Sequence, residues 1–210
     1  MFKNIFSHSH KPEISGIIGY LGLDSFWLSC TPDEQESLIR YYQNGLGNQL
    51  NDSPIKGKIT FTTQTKLKYL SSMIGFAVSE KDYALADKII SSGQEVIINE
   101  DNILDAHYFW QESAECYYKQ RDVRADALDL TIQFCLEDIK MFPKYKSLMQ
   151  KEFGCIPRIT TFQRLVILYE RNSQYREAID ICNLAIKYNL TDSTKGGYPA
   201  RLAKLEKKLK

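Results

Sequence analysis

Residues 161–186, TFQRLVILYERNSQYREAIDICNLAI, decide the fold class of this chain. Apolar residues recur at helical spacing on both sides of the polar turn RNSQ, so the stretch predicts two consecutive helices. Small residues in the second helix, Ala178 and Ala185, allow the two antiparallel helices to approach closely. Large side chains fill the space around that contact: Phe162, Tyr169 and Tyr175. The stretch therefore predicts a closely packed helix pair.

The register of this pair resembles a tetratricopeptide repeat, in which Trp, Leu-Gly and Tyr in one helix are followed by Ala and Phe in the next. Phe162 stands at the Trp position, Val166 at the Gly position and Cys182 at the Phe position, and the other positions match. Weaker copies lie upstream, at residues 70–93 and 109–130. The resemblance implies a superhelix of helix pairs whose first helices line a concave groove.

The copies are spaced irregularly along the chain. Ala86, Ala127 and Ala178 occupy equivalent positions and are 41 and then 51 residues apart, whereas a regular array repeats at about 34 residues. The array is therefore degenerate and low in copy number. A solenoid of this kind needs a terminal helix with a polar outer side, and YPARLAKLEKKL, residues 198–209, fits that role.

We predict an all-α protein: a short tetratricopeptide-like α–α superhelix of about three helix pairs, with an N-terminal helical leader and a C-terminal capping helix. The glycine-rich loop at residues 44–58 separates the leader, 1–60, from the repeat domain, 61–210. The predicted helices of the repeat domain are 63–79, 82–97, 103–120, 124–141, 144–152, 159–172, 175–188 and 198–209.

The leader contains the unusual stretch GIIGYLGLDSFWLSC, residues 16–30. We expect Phe26 and Trp27 to pack onto the first repeat as an N-terminal cap, while the glycines permit tight turns or close approach. A phosphate cradle is disfavoured because the glycines lack the G-x-G-x-x-G order. Thr31 and Glu34 then form a capping box at a helix start. The leader is similar to one in uncharacterised bacterial tetratricopeptide-like proteins, a resemblance that implies no activity.

The charge of the chain is nearly balanced. It has 27 Lys and Arg residues against 26 Asp and Glu, a formal net charge of +1, so no global field favours nucleic acid or an acidic membrane surface. The basic end, RLAKLEKKLK, residues 201–210, is either a solvated helix face or a local contact for nucleic acid. We expect the former, and therefore no nucleic-acid partner.

The cysteine pattern and the N-terminus indicate a cytoplasmic protein. The five cysteines are odd in number and show no C-x-x-C spacing, which argues against a disulfide framework. Cys30 and Cys155 lie near turns and are expected to be exposed. The first residues lack the apolar run of a signal peptide, and no stretch reaches the roughly 18 apolar residues of a membrane span.

The sequence contains none of the common catalytic motifs. There is no H-E-x-x-H, G-x-S-x-G, Walker loop or kinase signature. His8 and His10 form an H-x-H pair, but nearby residues do not complete a metal site. His107 reads as a half-buried helix residue rather than a base. We therefore expect no catalytic residue, no metal and no cofactor.

The repeat register predicts which side chains line the groove. They come from the first helix of each pair: Lys68, Ser71, Ser72, Gly75, Tyr108, Gln111, Glu115, Tyr118, Thr160, Gln163 and Ile167. Some tetratricopeptide proteins grip a C-terminal carboxylate with Lys and Asn residues at these places. Only Lys68 is present here, without an Asn, so a carboxylate clamp is not implied. The tyrosines suit a peptide-binding groove, or alternatively they fill the interior of the superhelix.

These observations predict a non-enzymatic scaffold or adaptor that binds a protein or peptide partner in the concave groove. One alternative keeps the fold and makes the protein a regulator that closes on a peptide or small ligand. Another is an enzyme whose site is assembled from scattered residues such as His107, Glu112 and Tyr118. The sequence names neither the partner nor the oligomeric state.

Overall fold

The computed structural model describes residues 14–45 and 53–209, and these residues form ten helices and no strand. The all-α prediction is therefore confirmed for the described part of the chain. The chain divides into two units, Met1–Lys66 and Leu67–Lys210, where the sequence suggested a boundary at residue 60. The helices are α1 Gly16–Tyr20, α2 Asp24–Ser29, α3 Pro32–Gly45, α4 Lys66–Ser79, α5 Tyr83–Gln94, α6 Ile103–Lys119, α7 Ala127–Phe153, α8 Thr160–Arg171, α9 Tyr175–Lys187 and α10 Gly197–Leu209.

In the first unit, the chain that follows α3 returns to hold the start of α1. The backbone N–H of Gly16 donates to the carbonyl of Gly57, and that of Ile18 donates to the carbonyl of Pro54, both at 2.9 Å. Gly16 has φ +60°, and a Cβ there would lie 2.6 Å from the Pro54 oxygen. Glycine is therefore required at this position both by the backbone conformation and by the close approach.

The capping box at the start of α3 is confirmed. The N–H of Thr31 donates to Glu34 Oε2 at 2.7 Å, and the N–H of Glu34 donates to Thr31 Oγ1 at 3.3 Å. Phe26 and Trp27 are both buried. That they cap the first repeat stays a prediction.

In the second unit, helices that follow one another in the chain pack together. α5 contacts α6, α6 contacts α7, and the series continues through α8 and α9 to α10, while α6 also contacts α8. The repeated alanines are fully buried, as predicted: Ala86, Ala127, Ala178 and Ala185. Small residues at these positions allow the close approach of neighbouring helices. The tetratricopeptide resemblance itself stays a prediction.

The prediction of two helices, 124–141 and 144–152, is wrong. They form the single 27-residue helix α7, with Pro143 inside it. A proline removes one backbone hydrogen bond and crowds the preceding turn, but the Pro143 ring is on the exposed side. The neighbouring side chains Phe142 and Tyr145 are fully buried, and the Tyr145 hydroxyl donates to Asp138 Oδ1 at 2.7 Å across the proline. Packing on the inner side therefore carries the helix through to Gly154.

The remaining helix bounds differ from the predictions by a few residues at most. The larger differences are at the end of α5, predicted at residue 97, and at the start of α4, predicted at residue 63. Of the predicted loop at 44–58, residues 44–45 instead belong to the last turn of α3, residues 46–52 lie outside the described part of the chain, and residues 53–58 are not helical. His8 and His10 also lie outside the described residues.

Candidate functional site

Helices α6 and α8 bring most of the predicted groove residues to one surface. On α6, Gln111, Glu115 and Tyr118 are spaced four and three residues apart, and on α8 the spacing of the equivalent residues is three and four. Residues at such spacing share a helix face, and the two helices are in contact. We call this surface the α6–α8 face and define it by six residues: Gln111, Glu115, Tyr118, Thr160, Gln163 and Ile167.

Polar contacts join the two helices across this face. The Thr160 hydroxyl donates to Gln111 Oε1 at 3.0 Å, and the guanidinium of Arg164 donates to the Glu115 carboxylate. Lys119 Nζ lies 3.9 Å from the other oxygen of Glu115. Arg164 is not among the predicted groove residues, although its place one turn after Thr160 puts it on the same side of α8.

Two arginines surround the ring of Tyr118. The guanidinium carbon of Arg164 lies 4.0 Å from the ring centre, and that of Arg121 lies 4.5 Å from it. Arg121 is held in place because its Nη1 donates to the Tyr118 carbonyl oxygen at 2.9 Å. Such cation–π contacts stabilise both the ring and the guanidinium groups by about 0.5–1 kcal/mol each at exposed sites. The orientation of Tyr118 is therefore fixed before any partner binds.

A cleft of about 220 Å³ opens beside Tyr118. We call it the arginine cleft, and its lining residues are Tyr118, Arg158, Thr160, Gln163, Arg164 and Ile167. Arg158 was not predicted; it is exposed, and its Nη1 donates to Ser193 Oγ at 3.1 Å. The structure thus brings Tyr118, Thr160, Gln163 and Ile167 together.

The other predicted groove residues lie elsewhere. Lys68 and Tyr108 line a separate cleft of about 680 Å³, together with residues of the second half of α7 such as Glu152. Burial, followed by the charges of Glu152 and Asp105, raises the pKa of Tyr108. A neighbouring cleft of about 530 Å³ lies between the start of α6 and α7. The predicted groove residues therefore form two clusters rather than one.

The groove residues predicted on α4 are only partly accessible to a partner. Ser71 is buried, with 7% of its surface exposed, so it is not available to a partner. Ser72 is half-buried, and its hydroxyl donates to the carbonyl of Lys68 at 3.1 Å. A Cβ on Gly75 would lie 3.7 Å from a carboxylate oxygen of Glu112, so this glycine faces α6.

His107 is fully buried rather than half-buried, because it has an acidic partner. Its Nδ1 lies 2.7 Å from Oδ1 of Asp138, and this oxygen also accepts a hydrogen bond from the Tyr145 hydroxyl. The Thr161 hydroxyl donates to the other oxygen, Oδ2. Asp138 has no exposed surface. The network joins α6, α7 and α8 but gives no substrate access to the imidazole. In the sequence, the one indication of this role is that Asp138 lies at helical spacing among the apolar residues that α7 buries, such as Cys135 and Phe142.

The residues proposed for an assembled catalytic site do not converge. His107, Glu112 and Tyr118 all lie on α6, and the eleven steps from the first to the last correspond to about 16 Å along a helix. Burial, followed by the nearby charge of Glu115, raises the pKa of Glu112. One small substrate cannot contact all three groups.

Thiol chemistry is disfavoured at the buried cysteines. Burial raises the pKa of Cys116 and of Cys135 to about 12, and that of Cys182 to about 11, so these groups stay protonated at neutral pH. Cys30 is buried, contrary to the prediction, because its thiol turns inward and donates to the carbonyl of Phe26 at 3.3 Å. Cys155 is exposed, as predicted.

Part of the basic C-terminal charge is paired within the chain. Arg201 Nε lies 2.5 Å from Asp192 Oδ2, and Lys208 Nζ lies 2.8 Å from Glu170 Oε1. Burial opposes ionisation of Asp192, but hydrogen bonds from Thr194 and Arg201 outweigh it and lower the pKa of that carboxyl. The α10 face therefore offers fewer unpaired cations than its sequence suggests.

Residues 14–45 and 53–209 contain neither a membrane-spanning helix nor a metal-binding cluster. No helix in this part of the chain combines the length and apolar character that crossing a bilayer requires. Within the same residues, no three side chains of His, Cys, Asp or Glu are grouped so that they could hold a metal ion.

Comparison with known proteins adds one relative. The sequence matches no family model and no solved structure. It is 24% identical over 186 residues to an uncharacterized protein of Aquifex aeolicus (strain VF5). The similarity covers 85% of this chain and 87% of that protein, so it extends over most of both and brings no activity or partner with it.

Proposed function

We propose that this chain is a non-enzymatic, tetratricopeptide-like scaffold that binds a protein or peptide partner along the α6–α8 face. The observation that carries the proposal is the arrangement of that face. Side chains from two helices that are not consecutive in the chain are fixed by polar bridges, and they leave Tyr118, Gln163 and Ile167 along a cleft.

The composition and size of the arginine cleft support a macromolecular partner. Tyr and Arg are the residue types enriched among the strongest contributors to protein–protein binding. Small-molecule pockets usually have volumes of about 300–1,000 Å³, whereas this cleft has about 220 Å³. It is therefore suited to one or two anchoring side chains of a longer chain that continues over the surface.

An enzymatic role has less support. The only histidine in the described residues, His107, is 2% exposed and hydrogen-bonded to Asp138, and the buried thiols are held protonated. Nothing on the α6–α8 face places a nucleophile beside a base. Binding without catalysis is therefore the function that the arrangement supports best.

One observation favours the regulatory alternative. The clefts of about 530 and 680 Å³ lie side by side at the start of α6 and share Glu100 and Leu148, and each falls in the size range of small-ligand sites. A regulator would become more compact on binding. Small-angle scattering with pools of metabolites and peptides tests this alternative, and an unchanged radius of gyration across all pools argues against it.

The test of the scaffold proposal uses two matched substitutions. Ile167→Glu places a charge in the arginine cleft, while Leu136→Glu places the same charge on α7, where the native side chain is 41% exposed. Each tagged variant is used to recover partners from a lysate of the source organism, with yields measured by quantitative mass spectrometry. Circular dichroism checks that both variants remain helical.

We expect Ile167→Glu to lower the yield of specific partners by about tenfold or more, a loss of about 1.4 kcal/mol, and Leu136→Glu to leave it unchanged. Recovery of the same partners at the same yield with both variants would show that the α6–α8 face is not the binding surface.

A further inference from the structure

We propose that the arginine cleft binds the carboxylate side chain of an acidic segment in the partner protein. This inference rests on the proposed function and names the chemical class of the partner. It follows from the charges that line the cleft, from the way they are held, and from the groups around them.

The charge of the cleft is positive. Of its six lining residues, Arg158 and Arg164 are cationic and the rest are uncharged. Arg164 is paired with Glu115, which lies outside the lining. Arg158 is hydrogen-bonded to the neutral hydroxyl of Ser193, and within the described residues no carboxylate is paired with it. A guanidinium that faces a cleft without a carboxylate partner favours an anionic ligand.

Arg164 is prearranged to receive that ligand. Its guanidinium stacks on Tyr118 and is bonded through one nitrogen, Nη2, to Glu115. A guanidinium carries five N–H donors in a rigid plane, so this contact fixes the plane and leaves other donors for a second carboxylate. The conformational cost of ordering the side chain on binding is thereby reduced.

The groups around the arginines suit a carboxylate on a short aliphatic stem. Gln163 supplies an amide as a further donor, whereas the Thr160 hydroxyl already donates to Gln111. Ile167 supplies an apolar surface for methylene groups. The cleft volume of about 220 Å³ accommodates a side chain of the size of Asp or Glu. Together these features match an acidic residue within a peptide.

A nucleic-acid phosphate is the other anion that arginines bind. Nucleic-acid affinity depends on several phosphate contacts along a basic track. The chain has a net charge of only +1, and two of the bases on α10, Arg201 and Lys208, are already paired with acids. The observations therefore favour an acidic protein segment.

The experiment uses the full chain and three fluorescent peptides of equal length, with amidated ends so that no terminal carboxylate contributes. One peptide alternates Glu with Leu, the second alternates Gln with Leu, and the third alternates Lys with Leu. A single-stranded oligonucleotide is the fourth probe. Binding is measured by fluorescence anisotropy at low and high salt, because charge-assisted contacts at a surface weaken with ionic strength.

Arg158→Gln is the main variant, because Arg158 is exposed and its replacement does not disturb the packing. Arg164→Gln is the second. Lys204→Gln, at an exposed position of α10, is the matched control. We expect the Glu peptide to bind about tenfold or more tightly than the Gln peptide, Arg158→Gln to remove most of that preference, and Lys204→Gln to leave it intact.

Equal binding of the Glu and Gln peptides, or an unchanged preference in Arg158→Gln, would overturn the inference. Tighter binding of the oligonucleotide that is lost in Arg158→Gln would overturn it in favour of nucleic acid. If partner recovery depends on Ile167 but not on Arg158, the proposed function stands and only the acidic-segment inference fails. If neither residue matters, the proposed function fails as well.

Discussion

Asp138 shows how much one residue can contribute to the interior of this protein. Its carboxylate accepts hydrogen bonds from His107 on α6, from Tyr145 on its own helix and from Thr161 on α8. A polar side chain is costly to bury unless it is hydrogen-bonded. Here three partners contact the two oxygens of Asp138, so this buried side chain connects three helices.

Replacing Asp138 with Ala should destabilise the protein by about 3–5 kcal/mol, because it leaves the buried polar groups of His107, Tyr145 and Thr161 without their hydrogen-bond partner. The measurement is the free energy of unfolding from urea titration followed by circular dichroism. Glu137→Ala is the control: that side chain is 47% exposed, and its contact with Lys140 is 3.9 Å long. Similar losses in the two variants would mean that the network contributes little.

The sequence predicted some of these residues and missed others for a physical reason. The buried alanines were predictable because small residues recur at equivalent positions of each pair. The burial of Asp138 was not predictable, since an acidic side chain on a helix usually faces solvent. Two of its hydrogen-bond partners, His107 and Thr161, also lie on other helices. Arg164 was also missed, because its contacts with Glu115 and Tyr118 depend on how α8 packs against α6.

At the level of elements, helix boundaries were predictable where caps and breakers are local. The Thr31–Glu34 capping box and the turn after α8 are examples. The length of α7 was not predictable, since the effect of Pro143 depends on which side of the helix meets solvent. With its ring exposed and Phe142 and Tyr145 buried, packing outweighs the lost backbone hydrogen bond.

Two helical glycines give a prediction about how the elements pack. A Cβ on Gly93 of α5 would lie 2.2 Å from the ring of Phe109, which is 1% exposed, so the buried ring would have to shift. Gly93→Ala should therefore destabilise the protein through overpacking, by about 1–3 kcal/mol. On Gly75 of α4 the nearest atom would be 3.7 Å away, so Gly75→Ala should stabilise by up to about 1 kcal/mol through helix propensity.

Thermal and urea unfolding of the two glycine variants measure both effects. The changes in unfolding free energy should have opposite signs. Both substitutions gain the higher helix propensity of Ala, but only Gly93→Ala introduces a steric conflict. Stabilisation by both substitutions would show that Phe109 can shift without cost.

At the scale of the second unit, the order of packing follows the order of the chain from α5 to α10. This much was predictable, since helices joined by short turns pack as neighbours. The clefts were not, because they arise from contacts between α6 and α8 and from the extension of α7, which depend on how the helices cross. Because each helix from α5 to α10 packs mainly on its neighbours in the chain, the stability of the unit is largely the sum of these neighbouring contacts.

The last helix tests this view. α10 packs on α9 and buries Leu205, which is 1% exposed. Leu205→Ala should cost about 2–5 kcal/mol locally, whereas Leu209→Ala, at a side chain 47% exposed, should change stability by less than about 0.5 kcal/mol. Because neighbouring contacts dominate, amide hydrogen exchange in Leu205→Ala should accelerate in α9 and α10 and stay unchanged in α6 and α7. Uniform acceleration from α6 to α10 would instead indicate a single cooperative core, in which the terminal helix is inseparable from the helices that carry the binding face.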